Sequence, residues 1–446
     1  MVQVADRGPE TSSGGGGAGA VTTATPLQDE SSQPLRVLVT GGLGFVGSAI
    51  VRALQEQHPD WTVWILDTKK DPRAEWKAET STAVDDDDLD LLKNCVYEYV
   101  QADVTDGTQV GTAFNVARPH VVVHTAGAVP PLSERYARRL EAYVRRINVE
   151  GTRHVVDWAK RTGCRALVYT SSCCTVTDDM SKSYANIDER WPVAAKSSIY
   201  GESKAAAERI VLAANGLPTD IRRSDAARGN KGNDLERDED SRRPQRPMLT
   251  CVLRPSVIFG EGDNQLIPSI HACIAKGETR YRLGDGRNLW DVTYVGNVAD
   301  AHILAIENLL STHACRQDGA THLRNGGIGA ETAAGETFFI QNNEPISFRE
   351  FSLAVWKEFG HYPPAWEIHI PEVLGWTLGL LAEALTRISG TPTTLSRGSV
   401  MDACAMRYAS GDKAQRVLGY RARVGLEEGI HRSCVDYGRR LDQGLG

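Results

Sequence analysis

The sequence lacks long apolar runs, an excess of positive charge and paired metal-ligand spacing. No stretch of eighteen or more apolar residues occurs in the chain, so a conventional membrane-spanning helix is not expected. The formal net charge of −7 and the absence of a basic stripe argue against a nucleic-acid partner. The nine cysteines are odd in number and lack metal-ligand spacing, so we expect reduced thiols and no metal site.

Three segments have too little apolar content to pack. The first 34 residues lack the charged start and apolar core of a secretory leader, and their Gly, Ser, Thr and Pro content predicts a disordered tail. Residues 217–247 are dense in both charge signs, which predicts a disordered insertion. A second low-complexity loop spans 324–335. We therefore expect a cytosol-facing protein whose chemistry lies outside these segments.

Glycines recur at three-residue spacing in "VTGGLGFVGSAIVRAL", residues 39–54. Gly41, Gly44 and Gly47 follow an apolar strand and open an amphipathic helix. Glycine permits a tight turn and lets the backbone approach a pyrophosphate, while the free N–H groups of a helix that begins near Phe45 and Val46 attract anions. The pattern predicts a site for the pyrophosphate of a dinucleotide.

Asp67 ends the next predicted strand, twenty residues after Gly47. A carboxylate at this position accepts hydrogen bonds from both ribose hydroxyls and repels a 2′-phosphate. NAD is therefore favoured over NADP, although Lys69 and Lys70 nearby weaken that preference. The alternative is that Asp67 is only a solvated strand-end residue.

Other polar residues follow later strands. Asp103 lies where it could meet the adenine amino group, or it could be a plain turn residue. In "HTAG", Thr125 and Ala126 would line the pyrophosphate with small side chains, whereas His124 is interpreted as a packed strand-end histidine.

The order of elements predicts an α/β fold. Apolar runs at 36–40, 61–67, 96–106, 120–127 and 166–172 alternate with helical segments, a pattern typical of a doubly wound parallel sheet, that is, a Rossmann fold. We expect an NAD-binding domain over 35–258. A smaller substrate-binding subdomain would occupy most of 259–446, with some strands and helices returning to the first domain.

The segment "YGESK" places Tyr200 and Lys204 four residues apart, downstream of Ser172 in "TSS". On a helix this pair shares one face, so the ammonium can sit near the phenol. Base catalysis near neutral pH needs the pKa of a tyrosine lowered by roughly 2 to 3 units. Lys204 and a positive nicotinamide ring can supply that shift, while Ser172 would donate a hydrogen bond to the substrate oxygen.

Together these motifs resemble the extended branch of the short-chain dehydrogenase/reductase superfamily. The glycine turn, "NVEGT" with Asn148 and the Tyr-x-x-x-Lys pair carry the likeness. The segments "LRPSVIFGEGDNQLIP", "GDGRNLWDVTYVGNVADAHILA" and "YASGDKAQRVLGYRARVGLEEGI" are similar to the 3β-hydroxysteroid dehydrogenase family. The resemblance covers roughly residues 35–435 apart from the two low-complexity loops.

The resemblance implies specific roles. Tyr200 would be the acid/base and Lys204 would bind the nicotinamide ribose and lower the pKa of the tyrosine. Ser172 would orient a 3-hydroxyl, and Asn148 would support a proton relay. It also places Val104, Pro255 and Val257 among the cofactor contacts.

The implied reaction is the NAD-dependent oxidation of the 3β-hydroxyl of a sterol or sterol-like terpenoid, with loss of a 4α-carboxylate as carbon dioxide. "TSSCC" departs from the small residue and serine expected after Ser172, which leaves open a fungal terpenoid or meroterpenoid dehydrogenase without decarboxylation. A nucleotide-sugar epimerase or dehydratase is the other enzymatic alternative. A dinucleotide-sensing regulator is the non-enzymatic one, and such proteins typically lose the tyrosine or lysine.

Residues 372–389, "EVLGWTLGLLAEALTRIS", predict a helix with one apolar face formed by Leu374, Leu378, Leu381, Leu385 and Ile388. Two interpretations stay open: a core helix of the substrate subdomain, or a helix lying on a membrane surface. The second would place the protein on the cytoplasmic side of the endoplasmic reticulum membrane or a lipid droplet, the first in the cytoplasm. A homodimer is compatible with either.

Overall fold

The structure is a computed structural model that describes residues 34–73, 92–131, 134–135, 138–177, 183–216, 247–317, 331–389 and 396–444. The predicted tail over 1–34 and the predicted insertion over 217–247 lie outside the described residues, except for Pro34 and Pro247. Most of the low-complexity loop at 324–335 also lies outside them.

Strands and helices alternate along the described chain. The strands are β1 (Arg36–Thr40), β2 (Thr62–Asp67), β3 (Glu98–Gln101), β4 (Val121–His124), β5 (Ala166–Thr170), β6 (Tyr184–Ile187), β7 (Leu249–Pro255), β8 (Val257–Phe259), β9 (Tyr281–Leu283), β10 (Leu289–Trp290), β11 (Val292–Tyr294), β12 (Thr337–Ile340), β13 (Ile346–Ser347), β14 (Ile368–Ile370) and β15 (Arg407–Ala409). The helices are α1 (Phe45–Gln57), α2 (Gly107–Ala117), α3 (Glu141–Arg145), α4 (Thr152–Arg161), α5 (Ile199–Ala213), α6 (Leu266–Ala275), α7 (Val295–Gln317), α8 (Phe348–Glu358), α9 (Glu372–Ser389), α10 (Arg397–Cys404), α11 (Asp412–Leu418) and α12 (Leu426–Asp442).

Seven strands form the main sheet in the order β12-β7-β5-β4-β1-β2-β3. Every neighbouring pair in this sheet is parallel. Successive strand residues point to opposite faces, and the core follows that alternation: Val37 and Val39 pack in the cluster that contains residues of α1 and α7, whereas Leu38 packs with residues of α2, α4 and α5. The predicted doubly wound parallel sheet is confirmed.

The strand order reverses between β1 and β4, since the chain builds β1, β2 and β3 outward and then crosses back. In open sheets of this kind, ligands bind beyond the carboxyl ends of the strands at that switch point. Thr40 ends β1 and His124 ends β4, so the loops that follow these two residues form the floor of the predicted cofactor site.

Elements from the C-terminal half join the main sheet and form smaller ones. β12 adds to its edge beside β7. A four-stranded sheet has the order β13-β10-β15-β6, so the early strand β6 pairs with the late strand β15. Two further strand pairs, β11 with β8 and β14 with β9, complete the described sheets.

Helix α9 has the bounds predicted from the sequence, but it is not a core helix. Its small residues form the packed side: a Cβ on Gly375 would lie 3.2 Å from Val400, and one on Gly379 would lie 2.8 Å from the Arg397 backbone nitrogen. Its large apolar side chains point outward, with Leu381 61% and Leu385 62% exposed. The core interpretation is therefore wrong. Helix α10 packs against the glycine face of α9, because only residues without a side chain allow such a close approach, and the large apolar side chains are left exposed.

Candidate active site

The glycine turn packs so tightly that its backbone leaves no room for side chains. Gly41 has φ +71°, in the left-handed region, and its N–H donates to the Leu66 carbonyl at 2.7 Å. A Cβ on Gly47 would lie 2.1 Å from the Gly41 carbonyl oxygen. The turn therefore holds the start of α1 directly against the ends of β1 and β2.

The N-terminus of α1 is built to receive an anion. Gly44 occupies the N-cap position and makes no side-chain capping hydrogen bond. The first-turn N–H groups, which include those of Phe45 and Val46, carry the positive end of the helix dipole. The uncapped terminus and the glycine cradle fit the pyrophosphate of a dinucleotide.

Asp67 organises the loop beside this turn. Its carboxylate accepts hydrogen bonds from the Leu43 N–H at 3.0 Å and from the Lys69 N–H at 3.1 Å, and the residue is only 8% exposed. The Lys69 ammonium donates to the Leu43 carbonyl at 3.2 Å. Asp67 is thus a fixed residue at the end of β2, not a freely solvated one.

Asp103 and Val104 lie beyond the end of β3. The Asp103 carboxylate accepts from the Thr105 N–H at 2.8 Å, which is the turn contact predicted as its alternative role. Val104 is buried, and a Cβ on Gly151 would lie 2.8 Å from its methyl group. Their contacts with adenine stay a prediction.

The segment after β4 contacts the glycine turn. The Thr125 hydroxyl donates to the Thr40 carbonyl at 2.7 Å, and a Cβ on Gly41 would lie 2.9 Å from the Ala126 Cα. His124 is fully buried between the hydroxyls of Thr40 and Thr152, at 2.7 and 2.9 Å. Burial, aided by the charge of Lys204, lowers the pKa of His124 to about 3, so it is the packed histidine that the sequence predicts.

Helix α5 presents Tyr200 and Lys204 at the carboxyl end of β5. Ser198 caps the helix by accepting a hydrogen bond from the Gly201 N–H at 3.0 Å. The Lys204 ammonium donates to the Thr170 carbonyl at 2.8 Å and lies 5.9 Å from the centre of the Tyr200 ring. Burial lowers the pKa of Lys204 to about 8, against the opposing charge of Glu208.

Tyr200 is 9% exposed, and burial raises its pKa above the usual value. The charge of Cys174 raises it further, whereas the Arg135 guanidinium and a hydrogen bond with Ser172 lower it. Ser172 follows β5 and accepts from the Cys174 N–H at 3.2 Å. Donation from this hydroxyl to a substrate oxygen stays a prediction.

Asn148 lies in a π-helical turn, Arg146–Gly151, between α3 and α4; such turns occur frequently at functional sites. Its amide oxygen accepts from the Ala128 N–H at 2.7 Å, and its amide nitrogen donates to the Ala128 carbonyl at 3.1 Å and to the Ser203 hydroxyl at 2.9 Å. A Cβ on Gly127 would lie 3.2 Å from both the Asn148 amide oxygen and the Lys204 ammonium. Asn148 thus joins the loop after β4 to α5, and its part in a proton relay stays a prediction.

Pro255 and Val257 lie at the carboxyl end of β7 and at the start of the next strand, β8. Pro255 ends β7, the neighbour of β5, and is buried. Val257 belongs to β8 and pairs with Val292 of β11. Contacts of either residue with a cofactor stay a prediction.

Two features of the site have no motif in the sequence. Glu208, one turn after Lys204 on α5, forms a fully buried ion pair with Arg254 of β7 at 2.7 Å and accepts from the Ser171 hydroxyl at 2.6 Å. Arg135 stands near Tyr200 from a segment that sequence reasoning left unassigned. The lysine-to-glutamate spacing of four residues was the one available signal for Glu208.

Among the described residues, no cluster of three His, Cys, Asp or Glu side chains could hold a metal ion.

Comparisons with known proteins agree with this geometry. The model of the 3-beta hydroxysteroid dehydrogenase/isomerase family matches residues 38–223 and 237–370. Sterol-4-alpha-carboxylate 3-dehydrogenase, decarboxylating, of Saccharomyces cerevisiae is 32% identical over 92% of this chain and 98% of its own length. The mouse protein of that description is 28% identical over 93% of this chain and 94% of its own length.

The solved structures add a likeness in fold. The dTDP-glucose 4,6-dehydratase of Bacillus anthracis, in complex with NAD, superposes with a TM-score of 0.57 at 17% identity and covers 92% of this chain and all of its own. At that identity the likeness concerns the fold alone. On the family match and the sequence relatives, this chain belongs to the 3-beta hydroxysteroid dehydrogenase/isomerase family.

Proposed function

We propose that the protein uses NAD to oxidise the 3β-hydroxyl of a 4α-carboxysterol to the 3-ketone, which then loses carbon dioxide. The observation that carries this proposal is the grouping of Tyr200, Lys204 and Ser172 at the carboxyl ends of the main sheet. The glycine turn that fits a dinucleotide lies at the same edge. The names of the sequence relatives support the 4α-carboxylate.

Tyr200 would accept the proton of the 3-hydroxyl while Ser172 donates a hydrogen bond to the same oxygen. Because burial raises the pKa of Tyr200, its phenolate needs nearby positive charge, and the Lys204 ammonium, 5.9 Å from the ring centre, is placed to provide it. When bound, NAD supplies the acceptor for the hydride that leaves C3. The 3-carbonyl of the resulting β-keto acid takes up the electron pair of the breaking bond between C4 and the carboxyl carbon, so decarboxylation requires no further residue.

The test is to incubate purified protein with NAD and a 4α-carboxysterol. We expect NADH and carbon dioxide in equal amounts, and neither product from a Tyr200→Phe control. NADH without carbon dioxide would refute decarboxylation. Turnover restricted to 3β-hydroxy terpenoids without the carboxylate would favour the specialised terpenoid enzyme, and turnover restricted to nucleotide sugars would refute the sterol assignment.

We also propose NAD in preference to NADP, on the charge and position of Asp67. The substitution Asp67→Asn keeps an oxygen that can accept from the Leu43 N–H but removes the charge that repels a 2′-phosphate. The NAD-to-NADP ratio of kcat/KM should fall about tenfold or more, since a hydrogen bond to a charged group contributes roughly 1.5 to 3 kcal/mol. Asp103→Asn, beyond the end of the next strand, is the matched control and should leave the ratio unchanged. An unaltered ratio in Asp67→Asn would contradict the assignment.

Helix α9 supplies a proposal about location. Its outward side chains, with Val373 78% and Ile388 84% exposed, form an apolar surface that continues the exposed Leu381 and Leu385. A face of this kind binds the boundary between lipid head groups and acyl chains. Among the described helices, none combines the length and the apolar character needed to cross a bilayer. We propose that α9 rests on the cytoplasmic surface of the endoplasmic reticulum membrane or of a lipid droplet, from which an apolar substrate enters.

Flotation with phospholipid vesicles tests this location. The double variant with Leu381→Asp and Leu385→Asp should stay with the soluble fraction while wild type floats. Val96→Asp with Val116→Asp changes two side chains that are 80% and 56% exposed elsewhere, and this control should float. If the α9 variant instead separates a dimer into monomers and wild type never floats, the face is a homodimer interface.

A further inference from the structure

Three arginines follow the loop after β4, and they differ in their partners. The Arg138 guanidinium makes two hydrogen bonds with the Glu202 carboxylate, at 2.7 and 2.6 Å. Arg139 pairs with Glu134 at 2.7 Å. Arg135 has no hydrogen-bond or ion-pair partner for its guanidinium within the described part of the chain, and its Nε is buried without one. Of the three, Arg135 is the one whose guanidinium has no carboxylate partner among the described residues.

The structure holds Arg135 next to the reacting tyrosine. Its backbone carbonyl accepts from the Ile199 N–H at 3.1 Å. Because Ile199 directly precedes Tyr200 in the first turn of α5, this hydrogen bond holds the Arg135 backbone beside the tyrosine. Its guanidinium carbon lies 6.0 Å from the centre of the Tyr200 ring. The positive charge of Arg135 also lowers the pKa values of Tyr200 and Cys174.

Two other cations near this position, among the described residues, already have partners. Lys204 donates to the Thr170 carbonyl, and Arg254 is paired with Glu208 in the protein interior. A partly buried guanidinium without a counter-ion is unfavourable, and its planar fork of donors matches a carboxylate in two parallel hydrogen bonds. An anionic group on the substrate, close to the hydroxyl that Tyr200 deprotonates, would give the Arg135 guanidinium a counter-ion.

We propose that Arg135 binds the carboxylate of the substrate and makes the enzyme select sterols carboxylated at C4 over sterols with an uncharged group there. This inference rests on the proposed function, because it places the carboxylate on the carbon next to the one that bears the reacting hydroxyl. Arg135 is then a specificity-determining residue, separate from the proton transfer by Tyr200.

The test compares two 3β-hydroxysterols that differ only in bearing a 4α-carboxylate or a 4α-methyl group. In Arg135→Gln the ratio of kcat/KM values, carboxylate over methyl, should fall about tenfold to a hundredfold, as expected for a lost hydrogen bond to a charged group. Arg135→Lys keeps the charge and should retain part of the ratio. Arg139→Gln removes the same charge from an arginine that is 73% exposed in the same segment, and it should leave the ratio unchanged.

Two results would overturn the assignment. An unchanged ratio in Arg135→Gln would show that the carboxylate is bound elsewhere, and an equal loss on both sterols would show that Arg135 acts only through Tyr200. Equilibrium binding of both sterols to the NADH complex provides a second readout. If wild type oxidises neither sterol, the proposed function fails. The binding arm still decides about Arg135, because loss of preference for the carboxylated sterol in Arg135→Gln supports its role and equal affinities refute it.

Discussion

Replacing Gly47 with alanine tests whether the glycine turn is a cofactor cradle. The new Cβ would lie 2.1 Å from the Gly41 carbonyl oxygen, whereas ordinary van der Waals contact begins near 3.4 Å. The turn and α1 must therefore separate by more than 1 Å, the difference between those two distances. Overpacking of this kind costs about 1 to 3 kcal/mol. If pyrophosphate binding requires the undistorted turn, affinity for NAD should fall roughly fivefold to a hundredfold, at 1.4 kcal/mol per tenfold.

Gly438→Ala is the matched control. Gly438 lies within α12, and a Cβ there would meet nothing within 4 Å. Alanine is favoured over glycine in a helix by about 1 kcal/mol, so this variant should be slightly more stable and bind NAD as wild type does. Calorimetric titration with NAD and urea unfolding measure both effects. If Gly47→Ala matches Gly438→Ala in affinity and in stability, the steric reasoning is refuted.

Three further outcomes are expected. Tyr200→Phe should abolish NADH formation while NAD affinity by titration stays within a few-fold, and substantial residual turnover would mean another base. Glu208→Gln leaves Arg254 buried without a counter-ion, so urea unfolding should show that the free energy of unfolding falls by about 3 to 5 kcal/mol. The control Glu56→Gln, in an exposed helix pair, should lower it by less than about 1 kcal/mol. Equal losses would contradict the argument from burial. Burial lowers the pKa of Lys204 from 10.5 to about 8, so the folded state holds this proton more weakly than the unfolded state. Lys204→Met should therefore raise the free energy of unfolding at neutral pH, and this gain in stability should shrink as pH rises from about 8 toward 10.5. If urea unfolding shows a constant gain across that range, the lowered pKa of Lys204 is contradicted.

Local sequence patterns were sufficient for the main sheet and for the glycine turn. Continuous apolar runs such as "VVVH" of β4 specify strands buried on both faces. The spacing of Gly41, Gly44 and Gly47 indicates a tight turn because glycine readily adopts conformations such as the φ of +71° found at Gly41. The bounds of α9 were equally readable, since Pro371 precedes it and Gly390 follows it. The packing of α9 was not readable, because periodicity identifies an apolar face without saying which face another helix covers. Here two glycines decide, by allowing α10 to approach them.

The sequence by itself determined the elements whose causes lie within a few residues: the parallel strands, the helix that carries Tyr200 and Lys204 four residues apart, and the turn before α1. Only the tertiary structure decided which charges meet. Glu208 and Arg254 are 46 residues apart in the chain but joined in the core, and Arg135 reaches Tyr200 from a segment without a recognisable motif. Electrostatic interactions depend on distance and burial in space, and neither quantity is encoded in the spacing of residues along the chain.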